Sequence, residues 1–142
     1  MAQPHTIHVD IVSAEGEIFS GEAAMLFAPA SQGEVGVTPR HAPLLTLMKA
    51  GEVRVQTPDG AQQSFYVGGG ALEVQPTKVT VLADTALRAQ DIDEAQALAA
   101  KQRAEEALRE HGTTISQAEA LAELARAAAQ LKVVQRLRKL HG

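Results

Sequence analysis

Glycine and proline all but stop near residue 90. All six prolines and nine of the eleven glycines precede that point, and only Gly112 and Gly142 follow it. The later stretch is dense in Ala, Glu, Gln, Leu and Arg, the residues that cost least in a helix. A chain divided this way needs a turn-rich front and a helical rear. The expected fold is mixed: an all-β sandwich of short strands over residues 1–87, and an antiparallel hairpin of two helices over 88–142.

The front alternates with the period of a half-buried strand. Ile7, Val9 and Ile11 are interleaved with His8 and Asp10, Val53 and Val55 with Arg54, Phe65 and Val67 with Tyr66, and Leu72 and Val74 with Glu73. Met25-Leu26-Phe27 and Val79-Thr80-Val81-Leu82 add two more apolar runs. Between them stand Ser13-Ala14-Glu15-Gly16, Thr57-Pro58-Asp59-Gly60 and Gln75-Pro76-Thr77-Lys78, with the residues that turns demand. Strands this short and this frequent predict an antiparallel sandwich or barrel. Gly68-Gly69-Gly70 falls between two strand patterns, which predicts a bulge or a close backbone approach rather than a phosphate loop.

The rear has helix punctuation. Asp91 and Glu94 are spaced for a capping box, and so are Ser116 and Glu119, with Ile115 placed as a hydrophobic staple. Ala97, Ala100, Ala104, Ala107 and Leu108 recur at steps of three and four, as do Leu121, Leu124, Ala128, Leu131 and Val134. His111-Gly112 is a stop signal between the two runs. From Asp91 to Glu123 there are three basic and eight acidic residues. From Leu124 onward Arg126, Lys132, Arg136, Arg138 and Lys139 meet no acid at all. Two readings stay open: cations complementing the helix dipole, or a basic tip made for an acidic surface.

Several function classes are disfavoured. Cysteine is absent, which removes thiol chemistry, disulfides and Cys-based zinc sites. Aromatics make up 3% and the formal charge is −4, so neither base stacking nor attraction to nucleic acid is expected. The five histidines show no metal-ligand spacing, and His5 and His8 are expected to be solvated. The N-terminal residues lack the pattern of a signal peptide, and no apolar run approaches the roughly 18 residues of a membrane span. No cofactor, metal or catalytic group is expected. The polar loop from Gly33 to Leu45 holds Glu34 and His41. They are acid–base candidates for a small hydrolase, or polar rim residues around an apolar patch in a protein-docking loop. Docking is favoured because nothing nearby is a credible nucleophile.

That loop also carries a family resemblance. Gly33-Glu34-Val35-Gly36-Val37 followed by Pro39-Arg40-His41-Ala42-Pro43-Leu44-Leu45-Thr46 resembles the signature of epsilon subunits of bacterial ATP synthases, called delta in mitochondria. Phe65 to Val74, Val79 to Ala86 and Asp91-Ile92-Asp93-Glu94-Ala95 match further family segments in order.

The resemblance implies a flattened β-sandwich of about ten strands with a C-terminal helical hairpin, in a non-catalytic central-stalk subunit. Its sandwich would bind the gamma subunit and rest on the c-ring, with Glu34 and His41 at the ring contact. Its hairpin would pack on the sandwich or extend toward the alpha/beta head and block ATP hydrolysis through Lys132, Arg136, Arg138 and Lys139. The implied location is peripheral, on the cytoplasmic face of the bacterial inner membrane. The alternative is a free-standing binding module of another assembly. Some relatives bind ATP in the folded hairpin through an Ile/Leu-Asp-x-x-Arg-Ala stretch. Here Ile92 and Asp93 match, but Gln96 stands where that Arg would be. On the second helix Arg126 matches and Gln130 does not. Gln brings no charge to phosphate, so weak or absent ATP binding is expected.

Overall fold

The alternation read in the front half becomes strands that pair into one continuous sheet folded over on itself. The computed structural model describes residues 5–110 and 112–141. The strands are β1 (Ile7–Ser13), β2 (Gly16–Ala23), β3 (Met25–Ala30), β4 (Gly33–Val37), β5 (Leu44–Gln56), β6 (Gln62–Val74), β7 (Lys78–Ala83) and β8 (Ala86–Arg88). A single 3₁₀ turn, Ala89–Asp91, leads to helix α1 (Glu94–Arg109) and helix α2 (Thr114–His141).

Strand order is β2-β1-β7-β6-β5-β3-β4, with β8 beside β6. Pairing is antiparallel except between β1 and β7, which run parallel, a departure from the all-antiparallel expectation. There are eight strands among the described residues, not about ten. The difference lies in β5 and β6, each 13 residues long, which pass unbroken through both layers. Their bend falls where Ala50 faces Gly68 and Met48 faces Gly70. Gly69 and Gly70 have φ of 114° and 133°, values an L-residue rarely takes. A Cβ on Gly70 would strike the Leu82 carbonyl and Ala83 Cα. The three glycines are therefore a fold line inside one strand, and the close backbone approach expected of them is the one Gly70 makes to Leu82 and Ala83.

Between the layers lie Ile7, Val9, Ile11, Leu26, Val37, Val53, Val55, Phe65, Val67, Leu72, Val74, Val79 and Val81, all at most 1% exposed. Each such side chain contributes about 1.5–3 kcal/mol on burial. Phe19 meets Phe65 edge to face at 5.5 Å.

The helical hairpin is antiparallel: Arg103 of α1 lies 3.9 Å from Glu123 of α2, and Arg138 near the end of α2 reaches Glu94 at the start of α1. The caps differ from the sequence reading. Asp93, not Asp91, caps α1, accepting the Gln96 N–H at 3.0 Å. Thr113, not Ser116, accepts the first free amide of α2, from Ser116 N at 3.1 Å. Ile115 is 73% exposed and forms no staple. His111 lies outside the described residues. On α2 the buried residues are Ala120, Ala127 and Val133, while Leu121, expected inside, is 57% exposed. Ala97 and Ala104 are the buried pair of α1. Heptad-spaced alanines let two helices approach closely. The seam selects small residues where a periodicity of large ones pointed to the leucines.

Candidate functional site

The loop carrying Glu34 and His41 is built from a hairpin and a strained turn. Residues Gly33–Val37, read as loop from two glycines, form β4 by pairing with β3. Glu34 lies on this strand, and its Oε1 accepts from Arg54 at 3.0 Å. The chain then turns at Thr38–His41, closed by the His41 N–H donating to the Thr38 carbonyl at 3.2 Å. Pro39 occupies the first corner. Arg40 occupies the second with φ of 66°, the left-handed value a type II turn requires there. That place normally goes to Gly or Asn. Arg40 is the one non-glycine residue with positive φ among the described residues. It is held by its own N–H, which donates to the Pro76 carbonyl at 2.9 Å. His41 Nδ1 lies 2.7 Å from the Ala42 carbonyl. No hydrogen bond or ion pair joins Glu34 to His41 among the described residues, so the two are not assembled as an acid–base pair.

Next to this loop is an apolar surface, as expected of a docking loop, formed by leucines that the sequence reading did not name. Leu45 and Leu47 of β5 are 74% and 68% exposed, and Leu82 of β7 is 51% exposed. Leu47 and Leu82 both pair with Ala71 of β6, so the three leucines share the outer face of one layer. The signal was present in Leu44-Leu45-Thr46-Leu47-Met48, apolar at both parities. A strand apolar on both faces buries one in the core and offers the other to a partner.

The outer face of the other layer is covered by the hairpin. Tyr66, Ala89 and Val133 form a small cluster with Ala50, Ile92, Ala129 and Leu137 packed around it. Beside it opens a cleft of about 820 Å³ between hairpin and sandwich. Of the suggested nucleotide residues, Asp93, Gln96, Arg126 and Gln130 line this cleft, while Ile92 sits in the apolar cluster instead. Asp93 is already occupied as a helix cap. The cleft also holds Arg103 and Tyr66, which sequence reasoning did not single out. Five carboxylates (Glu15, Asp84, Asp91, Asp93 and Glu123) surround the two arginines. Tyr66 is buried, which pushes its phenol up, and its hydroxyl has no hydrogen-bond partner among the described residues.

The basic residues of α2 divide. Arg136 Nε lies 2.8 Å from Glu52 Oε1 on β5, and Arg138 pairs with Glu94. Lys132 and Lys139 are exposed and make no ion pair among the described residues.

A separate polar cluster lies along β1, β2 and β7. His8, expected to be solvated, has Nδ1 at 2.8 Å from Glu22 Oε2 and Nε2 at 3.0 Å from Asp10 Oδ1. Ser20 donates to Asp10 at 2.7 Å, and Lys78 approaches it at 3.4 Å. The Glu22 and Asp10 carboxylates raise the His8 pKa, against a smaller opposing effect of burial. The Ser20 hydroxyl first, then His8 and Lys78, lower that of Asp10, and His8 and Thr6 lower that of Glu22.

With this geometry in hand, comparison with known proteins gives a consistent result. A family model described as "ATP synthase, Delta/Epsilon chain, beta-sandwich domain" matches residues 6–89. Its companion, "ATP synthase, Delta/Epsilon chain, long alpha-helix domain", matches residues 90–135. The ATP synthase epsilon chain of Nitrosococcus oceani is 66% identical over 137 residues, covering 96% of this chain and 98% of that one. The epsilon chain of Alkalilimnicola ehrlichii is 60% identical over 134 residues, covering 94% and 96%. Among solved structures, a chain of the Euglena gracilis mitochondrial ATP synthase OSCP/F1/c-ring assembly superposes with a TM-score of 0.72 at 17% identity. It covers all of this chain and 85% of that one, a likeness of fold.

Proposed function

The chain belongs to the ATP synthase delta/epsilon family, and from that premise we propose that it is a rotor clamp carrying a detachable brake. It is a non-catalytic subunit of a membrane-associated enzyme. Family membership over nearly the whole length sets aside both the free-standing module and the small hydrolase.

In this reading residues 1–87 are the docking body and 88–142 the regulatory hairpin. The Leu45, Leu47 and Leu82 face receives the gamma subunit, since three neighbouring exposed leucines suit an apolar partner. Glu34, His41 and the Arg40 turn meet the c-ring. The subunit sits peripherally at the cytoplasmic face of the bacterial inner membrane. No described helix is long and apolar enough to cross a membrane. The hairpin leaves the sandwich and presents Lys132, Arg136, Arg138 and Lys139 to acidic segments of the alpha/beta head, slowing ATP hydrolysis.

The observation that carries this reading is the thinness of the hairpin's seat. Three buried residues, Tyr66, Ala89 and Val133, make its centre. One ion pair, Glu52 with Arg136, crosses from sandwich to α2 among the described residues. So few buried side chains remove little apolar area from water, compared with the core between the strands, so docking is weak. A two-state element needs an energy gap of only a few kcal/mol. The test uses the two cations that make no pair within the chain. Replacing Lys132 and Lys139 by Ala in the assembled complex raises its ATP hydrolysis rate, more at low ionic strength than at high. Equal rates for wild type and variant at low salt refute the basic-tip brake.

A further inference from the structure

Four charged side chains, alternating in sign, cross the outer face of the hairpin-covered layer from β4 to α2. Glu34 Oε1 lies 3.0 Å from one Arg54 nitrogen, and the other lies 3.6 Å from Glu52 Oε1. The same Glu52 oxygen lies 2.8 Å from Arg136 Nε. The outer members are half open to solvent, with side-chain exposures of 49% for Glu34 and 38% for Arg136. The inner members are shielded, at 18% for Arg54 and 13% for Glu52. Arg54 is further fixed by lying 4.4 Å over the Phe27 ring. Shielding matters because charges speak to each other more strongly away from water.

The row is imperfectly satisfied where it meets the hairpin. Arg136 Nε is close to Glu52 but its N–H does not aim into a hydrogen bond, and Glu52 Oε2 has no partner among the described residues. Glu52 therefore presents one oxygen to two cations, Arg54 from the sandwich and Arg136 from the hairpin. Whatever strengthens one claim weakens the other.

We propose that this row couples occupancy of Glu34 to the seating of the hairpin. A donor or cation of the c-ring that takes the Glu34 carboxylate frees Arg54 to turn fully onto Glu52. Glu52, neutralised from its own sheet, then loosens its hold on Arg136, and the hairpin lifts. The coupling is reciprocal: with the hairpin lifted, Arg54 is drawn toward Glu52 and Glu34 is left more available to the ring. The inference rests on the reading that Glu34 faces the ring and that the hairpin moves. It adds the physical link between those two events, a contiguous chain of pairs ending on a two-state element.

The experiment is a mutant cycle on the full chain, without any partner. The chain has no cysteine, so Glu73→Cys and Leu121→Cys, both at exposed positions, allow two spin labels to report the sandwich-to-hairpin distance. The ratio of lifted to seated hairpin is read at the urea concentration where a minority of the wild type is lifted. Glu34→Gln, which mimics loss of the carboxylate to a partner, raises that ratio by about fivefold, the lower end of ordinary coupling between sites. In an Arg54→Gln background the same change has no effect. Should Arg54→Gln fold poorly, Glu52→Gln removes the middle of the row and gives the same null. A ratio unmoved by Glu34→Gln, or moved as much in either background, overturns the coupling and leaves the rotor-clamp reading standing. A wild type that unfolds as a whole, with no lifted population at any urea concentration, overturns the movable hairpin and the coupling together.

Discussion

Gly70 of β6 lies backbone to backbone against Leu82 of β7, so close that a single methyl group on Gly70 would overlap the Leu82 carbonyl. Its φ of 133° is also outside the range L-residues ordinarily take. Gly70→Ala therefore meets conformational strain and a clash with backbone, which cannot swing aside. The expected loss is about 2–5 kcal/mol of folding stability, combining backbone strain and overpacking, read as a lower urea midpoint. Gly60→Ala, in a turn with open space around it, loses only the strain of its positive φ, about 1–2 kcal/mol.

Arg40 holds a left-handed turn position that glycine would fill without strain. Arg40→Gly gains about 0.5–1 kcal/mol of stability, the relief of strain exceeding the added freedom of the unfolded chain. The same variant binds its assembly less tightly, because a strained residue kept at an exposed loop implies use of its side chain. Thermal melts of the isolated chain and retention of the chain by the assembled complex measure the two effects.

The His8 cluster sets a pH window. His8 is raised above its ordinary 6.5, so its contribution is full below about 6.5 and fades as pH rises through the higher folded value. Asp10 and Glu22 are lowered from 3.8 and 4.5, so theirs is full above those values and fades as pH falls through the lower folded ones. The three overlap between about pH 4.5 and 6.5. His8→Asn thus destabilises the chain most in that window, and the gap between wild type and variant narrows as pH rises through the raised His8 value. Urea midpoints of both proteins across the pH range give the profile. All three groups are near solvent, so the effect shrinks with added salt.

Nucleotide binding in the hairpin cleft is predicted to be weak. Two arginines face five carboxylates there, an arrangement that repels a triphosphate. Calorimetry on the isolated chain is expected to detect no micromolar ATP affinity. Gln96→Arg together with Gln130→Arg tightens binding by at least about tenfold per arginine, since a hydrogen bond to a charged group contributes about 1.5–3 kcal/mol. A micromolar affinity in the wild type contradicts this.

The parts of this fold that were legible in the sequence are those where local pattern and tertiary environment agree. β1 was plain because Ile7, Val9 and Ile11 alternate with residues that do remain half open. The Pro58-Asp59-Gly60 turn was plain because its chemistry is local: Gly60 takes φ of 90° and donates to the Thr57 carbonyl at 3.0 Å. β4 was not legible, because Gly33 and Gly36 argue for loop and only pairing with β3 overrides them. The unity of β6 was hidden by three glycines that ordinarily break a strand. On α2 the leucines outweighed the alanines in any hydrophobic count, yet close helix approach buried the alanines. Glu34 and Arg136 stood out in the sequence as charged candidates, but the partners the structure gives them did not. Arg54 and Glu52 read as the polar face of an ordinary strand, and nothing in the sequence joins them to a helix so far along the chain.

The hydrolysis rate of the assembled ATP synthase, compared between the full chain and a chain ending after Arg88, bears most directly on the detachable brake. The account predicts that the shortened chain still folds and joins the complex, because its core lies wholly within the strands, and that ATP hydrolysis becomes faster. A shortened chain that fails to fold or assemble, or a complex that hydrolyses ATP at an unchanged rate, contradicts it.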